Sequence, residues 1–345
     1  MGIEFEFLKA GKGDCILISI NDNQLNILID GGLGKTYNQE LKKRLEIIKK
    51  KNRYLDLVIL THYDNDHIGG ILKLLDDEKK FKSRFIKEFW FNSFDKALVN
   101  PSSDSNQTSA RQQIKFDEYI KELIPSMNYI SKLSIDNQKE MFLGENREVK
   151  FYLLSPNNQK LDELSLKYEK EKANYQTSAK SNDYDISIEE LSLGDFKKDT
   201  SLTNGASIAF ILKYESRKFL FLGDAHIDLI VESIKELGYS SENRLKLEFV
   251  KLSHHGSSKN LNSEFLDLIE SQKFVISTNG GRHKHPNKET LAKILTHSKR
   301  ERDENGDFKE DIEFIYNYES TKNDVLKPIE RRDYKALFIN GGLNY

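Results

Sequence analysis

The stretch that most constrains this chain is Thr61-His62-Tyr63-Asp64-Asn65-Asp66-His67-Ile68-Gly69-Gly70. It follows directly on Leu55–Leu60, a nearly continuous apolar run of the kind expected for a strand buried on both faces. Four side chains of ligand type, His62, Asp64, Asp66 and His67, fall within six residues. A continuing strand would alternate them between faces, whereas a tight loop at a strand end can turn all four towards one point. Gly69 and Gly70 permit close backbone approach where the loop enters a helix, expected to begin near Ile68. The pattern reads as a metal site at one end of a sheet.

The same arrangement recurs along the chain. Gln24–Ile29 runs into Asp30-Gly31-Gly32, and Phe219–Leu222 into Gly223-Asp224. Phe249–Leu252 runs into Ser253-His254-His255-Gly256-Ser257, and Phe274–Ser277 into a loop that reaches His285-Pro286. A strand-ending Asp taken alone is an ordinary turn residue, and a lone His an ordinary surface or core residue. Their common placement is what points to chemistry, because open sheets collect function along one strand edge. His226, two residues past Asp224, either approaches that edge or starts a helix.

With 345 residues the chain is long enough to bury a core without disulfide or metal staples. Strands are expected at Ile3–Ala10, Asp14–Ile20, Gln24–Asp30, Leu55–Leu60 and Ile86–Asn92, with a helix over 38–52 carrying Leu41, Leu45 and Ile48. The apolar period weakens beyond residue 92, Pro101–Gln113 is polar and turn-rich, and 157–200 is rich in Asn, Lys, Glu and Ser. Phe151–Leu154 is the exception, a good strand. Order resumes with a hairpin, Ala206–Tyr214 and Lys218–Leu222. Further strands fit Leu247–Leu252, Phe274–Ser277 and Glu313–Tyr318, interleaved with helices near 226–237, 262–270 and 287–299. The expected organisation is one domain over 1–345, with a core of 1–92 and 202–345 and an insertion at 93–201 that offers a surface for a protein partner.

At this point the chain resembles the metallo-β-lactamase-fold hydrolases, and among them the hydrolase domain of the ComEC DNA-uptake channel proteins and their free-standing relatives. The resemblance is carried in order by Gly11-Lys12-Gly13-Asp14, Ile29-Asp30-Gly31-Gly32, Thr61–Gly70, Asn204-Gly205-Ala206-Ser207, Leu222-Gly223-Asp224, Ser253–Ser257 and His285-Pro286. It implies an α/β fold, a four-layer αββα sandwich, and two divalent metal ions, zinc or manganese, bridged by water and by Asp224. His62 and Asp64 would serve the first ion, and Asp66 and His67 the second, completed by His255 or, as the alternative, His254. Asp30 would orient a ligand. His285 would contact a phosphate or protonate a leaving group, so that Asp66 and His285 are the expected catalytic residues.

Two positions depart from the common pattern of that family. Asp64 stands where a second histidine is usual in His-x-His-x-Asp-His, and the histidine usually found upstream of the Gly-Asp strand is replaced by the Asn204/Ser207 region. Both changes take an imidazole from the first ion, and oxygen-rich sites favour manganese- or magnesium-like ions over zinc. The first site is therefore expected to be the weaker. Asn204 and Ser207 either contact a substrate oxygen or cap their own loop.

The expected activity is metal-dependent hydrolysis through a metal-activated water, on a phosphodiester and specifically DNA. An ester, thioester or lactam hydrolase of the same fold, or a non-catalytic sensor or assembly subunit, are the alternatives. Lys+Arg total 53 and Asp+Glu 55, a net charge of −2 that supplies no global field for a nucleic acid. Local basic tracts exist at Lys42, Lys43, Arg44, Lys49, Lys50, Lys51 and Arg53, and at Arg282, Lys284, Lys288 and Lys293; they would meet phosphates or be solvated helix faces. Cys15 is the sole cysteine, which excludes an intrachain disulfide. Without an apolar run of roughly 18 residues or a basic-then-apolar start, the expectation is a cytoplasmic protein with no membrane contact.

Overall fold

The structure, a computed structural model, describes residues 2–81, 84–93, 108–123, 127–170, 182–281, 284–319 and 325–345. Among these, seven strands form one sheet in the order β17 (Leu343–Asn344), β1 (Ile3–Phe7), β2 (Ile16–Ile20), β3 (Leu25–Ile29), β4 (Leu57–Ile59), β5 (Glu88–Trp90) and β6 (Asn128–Ile130). Eight strands form the other, in the order β16 (Ala336–Asn340), β15 (Ile312–Tyr316), β14 (Lys273–Ile276), β12 (Phe249–Lys251), β10 (Arg217–Phe221), β9 (Ala209–Tyr214), β8 (Val149–Ser155) and β7 (Glu140–Leu143). Two short strands, β11 (Leu245–Lys246) and β13 (Ile269–Glu270), pair separately.

The period-2 alternation of the strands decides how these sheets stack. In β3, Ile27 and Ile29 face the opposite sheet while Leu28 faces helices; in β4, Leu57 and Ile59 divide from Val58 in the same way. In β10, Phe219 and Phe221 face inwards and Leu220 outwards. The two inner faces meet in a core of aromatic rings, with Phe5 4.6 Å from Phe219 and 4.9 Å from Phe249 between centroids. On the outer face of the first sheet pack Leu41, Leu45, Ile48, Ile71 and Leu74, and on that of the second Ile230, Phe265 and Leu291. The architecture is the expected four-layer αββα sandwich. A strand buried on both faces needs apolar residues at every position, which is why β4 shows no polar alternation.

Strands β3 and β4 are parallel, as are β10, β12 and β14. Their C-terminal ends therefore lie along one edge within each sheet, and the motifs at Asp30, His62–His67, Asp224, His254–His255 and His285 follow those ends.

Two expectations need correction. The helix after β4 begins at Asn65, not Ile68, so Asp66 and His67 sit in its first turn, and Asp64 O accepts from the backbone N–H of His67 at 2.8 Å. Gly69 and Gly70 lie one turn in, where the helix crosses the loop after β3: a Cβ on Gly70 would fall 2.0 Å from Gly31 O. The contact needs glycine but does not start the helix. The segment 93–201 is also not a simple insertion. β6 extends the first sheet, and β7 and β8 extend the second, with Val149, Phe151 and Leu153 in the inter-sheet core. Phe116, on the helix Thr108–Leu123, is buried against Tyr63, Phe89 and Phe91. Residues 94–107, 124–126 and 171–181 of that segment lie outside the described residues.

Candidate metal centre

Asp224 is the geometric centre of the strand-end cluster. It follows β10, is buried, and its N–H donates to Ser207 Oγ at 3.1 Å. Its two oxygens face different histidines. Oδ1 lies 3.6 Å from His67 Nε2 and 3.8 Å from His255 Nε2. Oδ2 lies 3.7 Å from His62 Nε2 and 3.9 Å from His254 Nε2.

The far sides of His62, His67 and His254 are held, and a carboxylate stands behind that of His255. His67 Nδ1 is 2.7 Å from Asp30 Oδ2, and the same oxygen accepts from Thr61 Oγ1, itself 3.0 Å from His62 Nδ1. His254 Nδ1 lies 3.3 Å from Asp199 Oδ2, and His255 Nδ1 3.5 Å from Asp14 Oδ1. Asp14 is buried and paired with the buried ammonium of Lys251 at 2.7 Å. Such outer partners fix the tautomer and direction of a ring, leaving Nε2 for the centre.

The residues fit a divalent ion on an observation of their own. His62 Nε2, His67 Nε2, His255 Nε2 and Asp224 Oδ1 are buried and make no hydrogen bond. A buried polar atom without a partner costs about 1–3 kcal/mol, so several converging on one point call for a shared cation. His62, His67 and Asp224 form one group of metal-ligating atoms within 4.8 Å of one another, and Asp66, His67 and His255 another. Asp64 Oδ2 stands 3.9 Å from His62 Nε2.

Electrostatics point the same way. Burial opposes ionisation of Asp224, yet His67, His255, His254 and His62 outweigh it and hold the carboxyl well below its usual range. Burial raises Asp64 to about 6, helped by Asp66 and Asp224. Burial and then His67 lower His62 to about 3. For His254 burial is again adverse, but Asp224 and Asp199 prevail and lift the ring to about 9.

The cluster floors a cavity of about 230 Å³, whose lining includes Lys12, Asp199, Asn204, Thr278 and His285. Lys12 Nζ pairs with Asp66 Oδ2 at 3.2 Å and is partly exposed at the rim. The His285 ring is 5.1 Å from that of His254. A larger groove of about 890 Å³ opens at the opposite strand ends, among Lys246, Glu270, Arg300 and Glu310, away from these metal-ligating groups.

Some expectations are displaced. Ser207 is fully buried and serves Asp224 N, and Asn204 Nδ2 donates to Asp199 Oδ2 at 2.7 Å, so both brace the site. His226 starts the helix Ile227–Glu236 and lies 3.3 Å from Lys160 Nζ. The basic tracts are largely engaged: Lys42 with Asp77, Arg44 with Glu6 and Glu40, Lys49 with Glu78, Lys51 with Asp22, and Lys293 with Glu289. Lys288 is buried on Glu330 at 2.6 Å, and Arg282 lies outside the described residues. Asp14, Lys251, Asp199 and Lys12 were given no role from sequence. Asp14 and Lys12 sit in the Gly11–Asp14 motif, which was a usable signal; Asp199 had none, lying in a polar stretch without period.

Residues 8–111 match the family model described as the metallo-β-lactamase superfamily. ComE operon protein 3 of Bacillus subtilis (strain 168) is 20% identical over 319 residues, covering 88% of this chain and 32% of that protein, so the chain spans about a third of the relative's length. Solved structures similar to it include the metallo-β-lactamase fold protein YhfI from Bacillus subtilis, at TM-score 0.44 and 10% identity over 100% of this chain and 99% of that one. Zinc-bound PqqB from Methylobacterium extorquens gives TM-score 0.43 and 10% identity over 100% and 99%. Residues 8–111, which carry β2–β5 and the loop with His62 and His67, are thus the part of the chain that matches the metallo-β-lactamase superfamily.

Proposed function

We propose that this chain is a metal-dependent phosphodiesterase acting on DNA. The observation that carries the reading is the set of orphaned Nε2 atoms of His62, His67 and His255 around the Asp224 carboxylate, at the floor of a polar cavity. In this reading His62, Asp64 and Asp224 would hold one divalent cation, and Asp66, His67, His255 and Asp224 another. Imidazoles suit zinc, and the surplus of carboxylates suits manganese. When bound, such ions supply Lewis acidity, bringing the pKa of water towards ~7 and neutralising charge on a phosphoryl group.

The remaining work falls to the protein's own groups. Asp30 holds His67 in place, and the Asp14 carboxylate supplies negative charge behind His255. Lys12, at the rim, offers an ammonium to a non-bridging phosphate oxygen. His285 holds a proton for the leaving oxygen. A phosphodiester suits this cavity better than a lactam or thioester, because among the described residues no large apolar side chain lines it. DNA is favoured by the order of motifs shared with the DNA-uptake hydrolase domains. The net charge of −2 and the engaged lysines favour a short, weakly held footprint on the strand.

The test is hydrolysis of bis-p-nitrophenyl phosphate and of single- and double-stranded DNA with manganese or zinc, beside a thioester and a lactam. Metal-dependent cleavage of phosphodiesters, lost in His67→Ala, is expected. Turnover of the thioester or lactam alone would transfer the reading to acyl substrates. Absence of both bound metal and turnover would leave the sensor alternative.

A further inference from the structure

On the two-ion reading above, we propose that His254, held by Asp199, supplies the imidazole that the first ion position otherwise lacks. His254 Nε2 lies 3.9 Å from Asp224 Oδ2, the oxygen that His62 Nε2 approaches to 3.7 Å. Two ligands of one ion with bonds of about 2.1 Å are separated by no more than about 4.2 Å, so each of the two histidines is near enough to share an ion with Asp224 Oδ2. On the other face of Asp224, His67 and His255 stand at 3.6 and 3.8 Å from Oδ1. Each oxygen thus has two imidazoles of its own.

The ring is aimed by its outer contacts. Its Nδ1 faces Asp199 Oδ2 and Asn260 Oδ1, each at 3.3 Å. Asp199 is in turn fixed by Asn204 Nδ2 at 2.7 Å and Asn260 Nδ2 at 3.2 Å, and its N–H donates to Lys259 O at 3.1 Å. This is the arrangement that Asp30 makes with His67, a carboxylate on one nitrogen that leaves the other for a ligand.

The backbone supplies an independent observation. His254 (φ 47°, ψ 47°) and His255 (φ 56°, ψ 24°) are consecutive non-glycine residues in the left-handed region. In extended chain, adjacent side chains face opposite ways; here the turn sends both rings to one carboxylate, His255 to Oδ1 and His254 to Oδ2. Strained conformations persist where the surroundings over-determine them, commonly at functional sites.

Ion binding by wild type, His254→Ala and Asp199→Asn is measured with manganese or zinc alone, folding being followed by circular dichroism. Wild type is expected to bind two ions per chain. His254→Ala should keep one and bind the other at least ~100-fold more weakly, and Asp199→Asn should weaken that same ion about 10- to 100-fold. The cobalt-loaded wild type gives a reading that needs no variant. Ligated histidines show hyperfine-shifted, exchangeable ring N–H signals, expected from His62, His67, His254 and His255. A signal set lacking His254, or unchanged affinity for both ions in His254→Ala, overturns the inference alone and makes His254 a substrate contact. Wild type that binds fewer than two ions overturns the two-ion reading together with it.

Discussion

The two oxygens of Asp224 look onto unlike surroundings. On the Oδ1 side the His67 side chain is 0% exposed and that of His255 4%, backed by the buried carboxylates Asp30 and Asp14 and the buried Lys251. On the Oδ2 side His62 is as deeply buried, but the side chains of His254 and Asp64 are 27% and 36% exposed to the cavity. The first side is the more enclosed: packing holds both rings, and a 2.7 Å contact with Asp30 fixes that of His67. The second is open to solvent and can adjust to substrate. Burial strengthens each electrostatic interaction and removes competing water, so the Oδ1 side should hold its ion more tightly.

The sharpest way to break that comparison is to remove its pivot. Asp224→Ala takes a ligand from both sides, and phosphodiester turnover should fall by roughly 10³-fold or more, the equivalent of several kcal/mol of charge stabilisation. Steady-state kinetics on bis-p-nitrophenyl phosphate checks this; residual activity near wild type would remove Asp224 from the centre.

Next comes the ion pair behind the tight side. Lys251→Met leaves Asp14 buried without its cation, and breaking such a pair typically costs about 3–5 kcal/mol. Urea unfolding reads the loss, and a change below 1 kcal/mol, taken as roughly the value of a surface pair, would show that Asp14 finds water instead.

Asp30→Asn sharpens the comparison without collapsing it. It removes the carboxylate from His67 Nδ1 and should weaken the Oδ1-side ion by about 10- to 100-fold while sparing the other, as read by metal titration. Equal weakening on both sides would mean that Thr61, which also bonds Asp30, carries the effect across to His62.

The smallest effect is expected from Ser207→Ala, which strips the acceptor from Asp224 N–H and should lower stability by about 1 kcal/mol in thermal unfolding.

How much of this was legible beforehand depended on the element. Strands β3 and β10 run into a glycine and an aspartate, and β4 into Thr61-His62, so where these strands end follows from side-chain chemistry. The helix Asn65–Phe81 began earlier than expected because the glycine pair marks a helix-to-loop crossing and not a helix start. The segment 93–201 reads as polar because its helices bury only one face, yet Phe116, Phe151 and Leu153 lie in the cores. Asp199 could not be found from its neighbours, since it reaches His254 across 55 positions of chain and nothing local marks that contact.

By itself the sequence determined that apolar strands end in His and Asp, and therefore that ligand-type residues would collect along sheet edges. Strand periodicity and strand-end chemistry are local, and local chemistry is written residue by residue. Which oxygen of Asp224 each histidine faces, which carboxylate stands behind each ring, and which lysines remain for a substrate were decided only by the tertiary structure. Those depend on distances between segments far apart in the chain, and on two left-handed residues at His254 and His255 whose conformation no propensity favours.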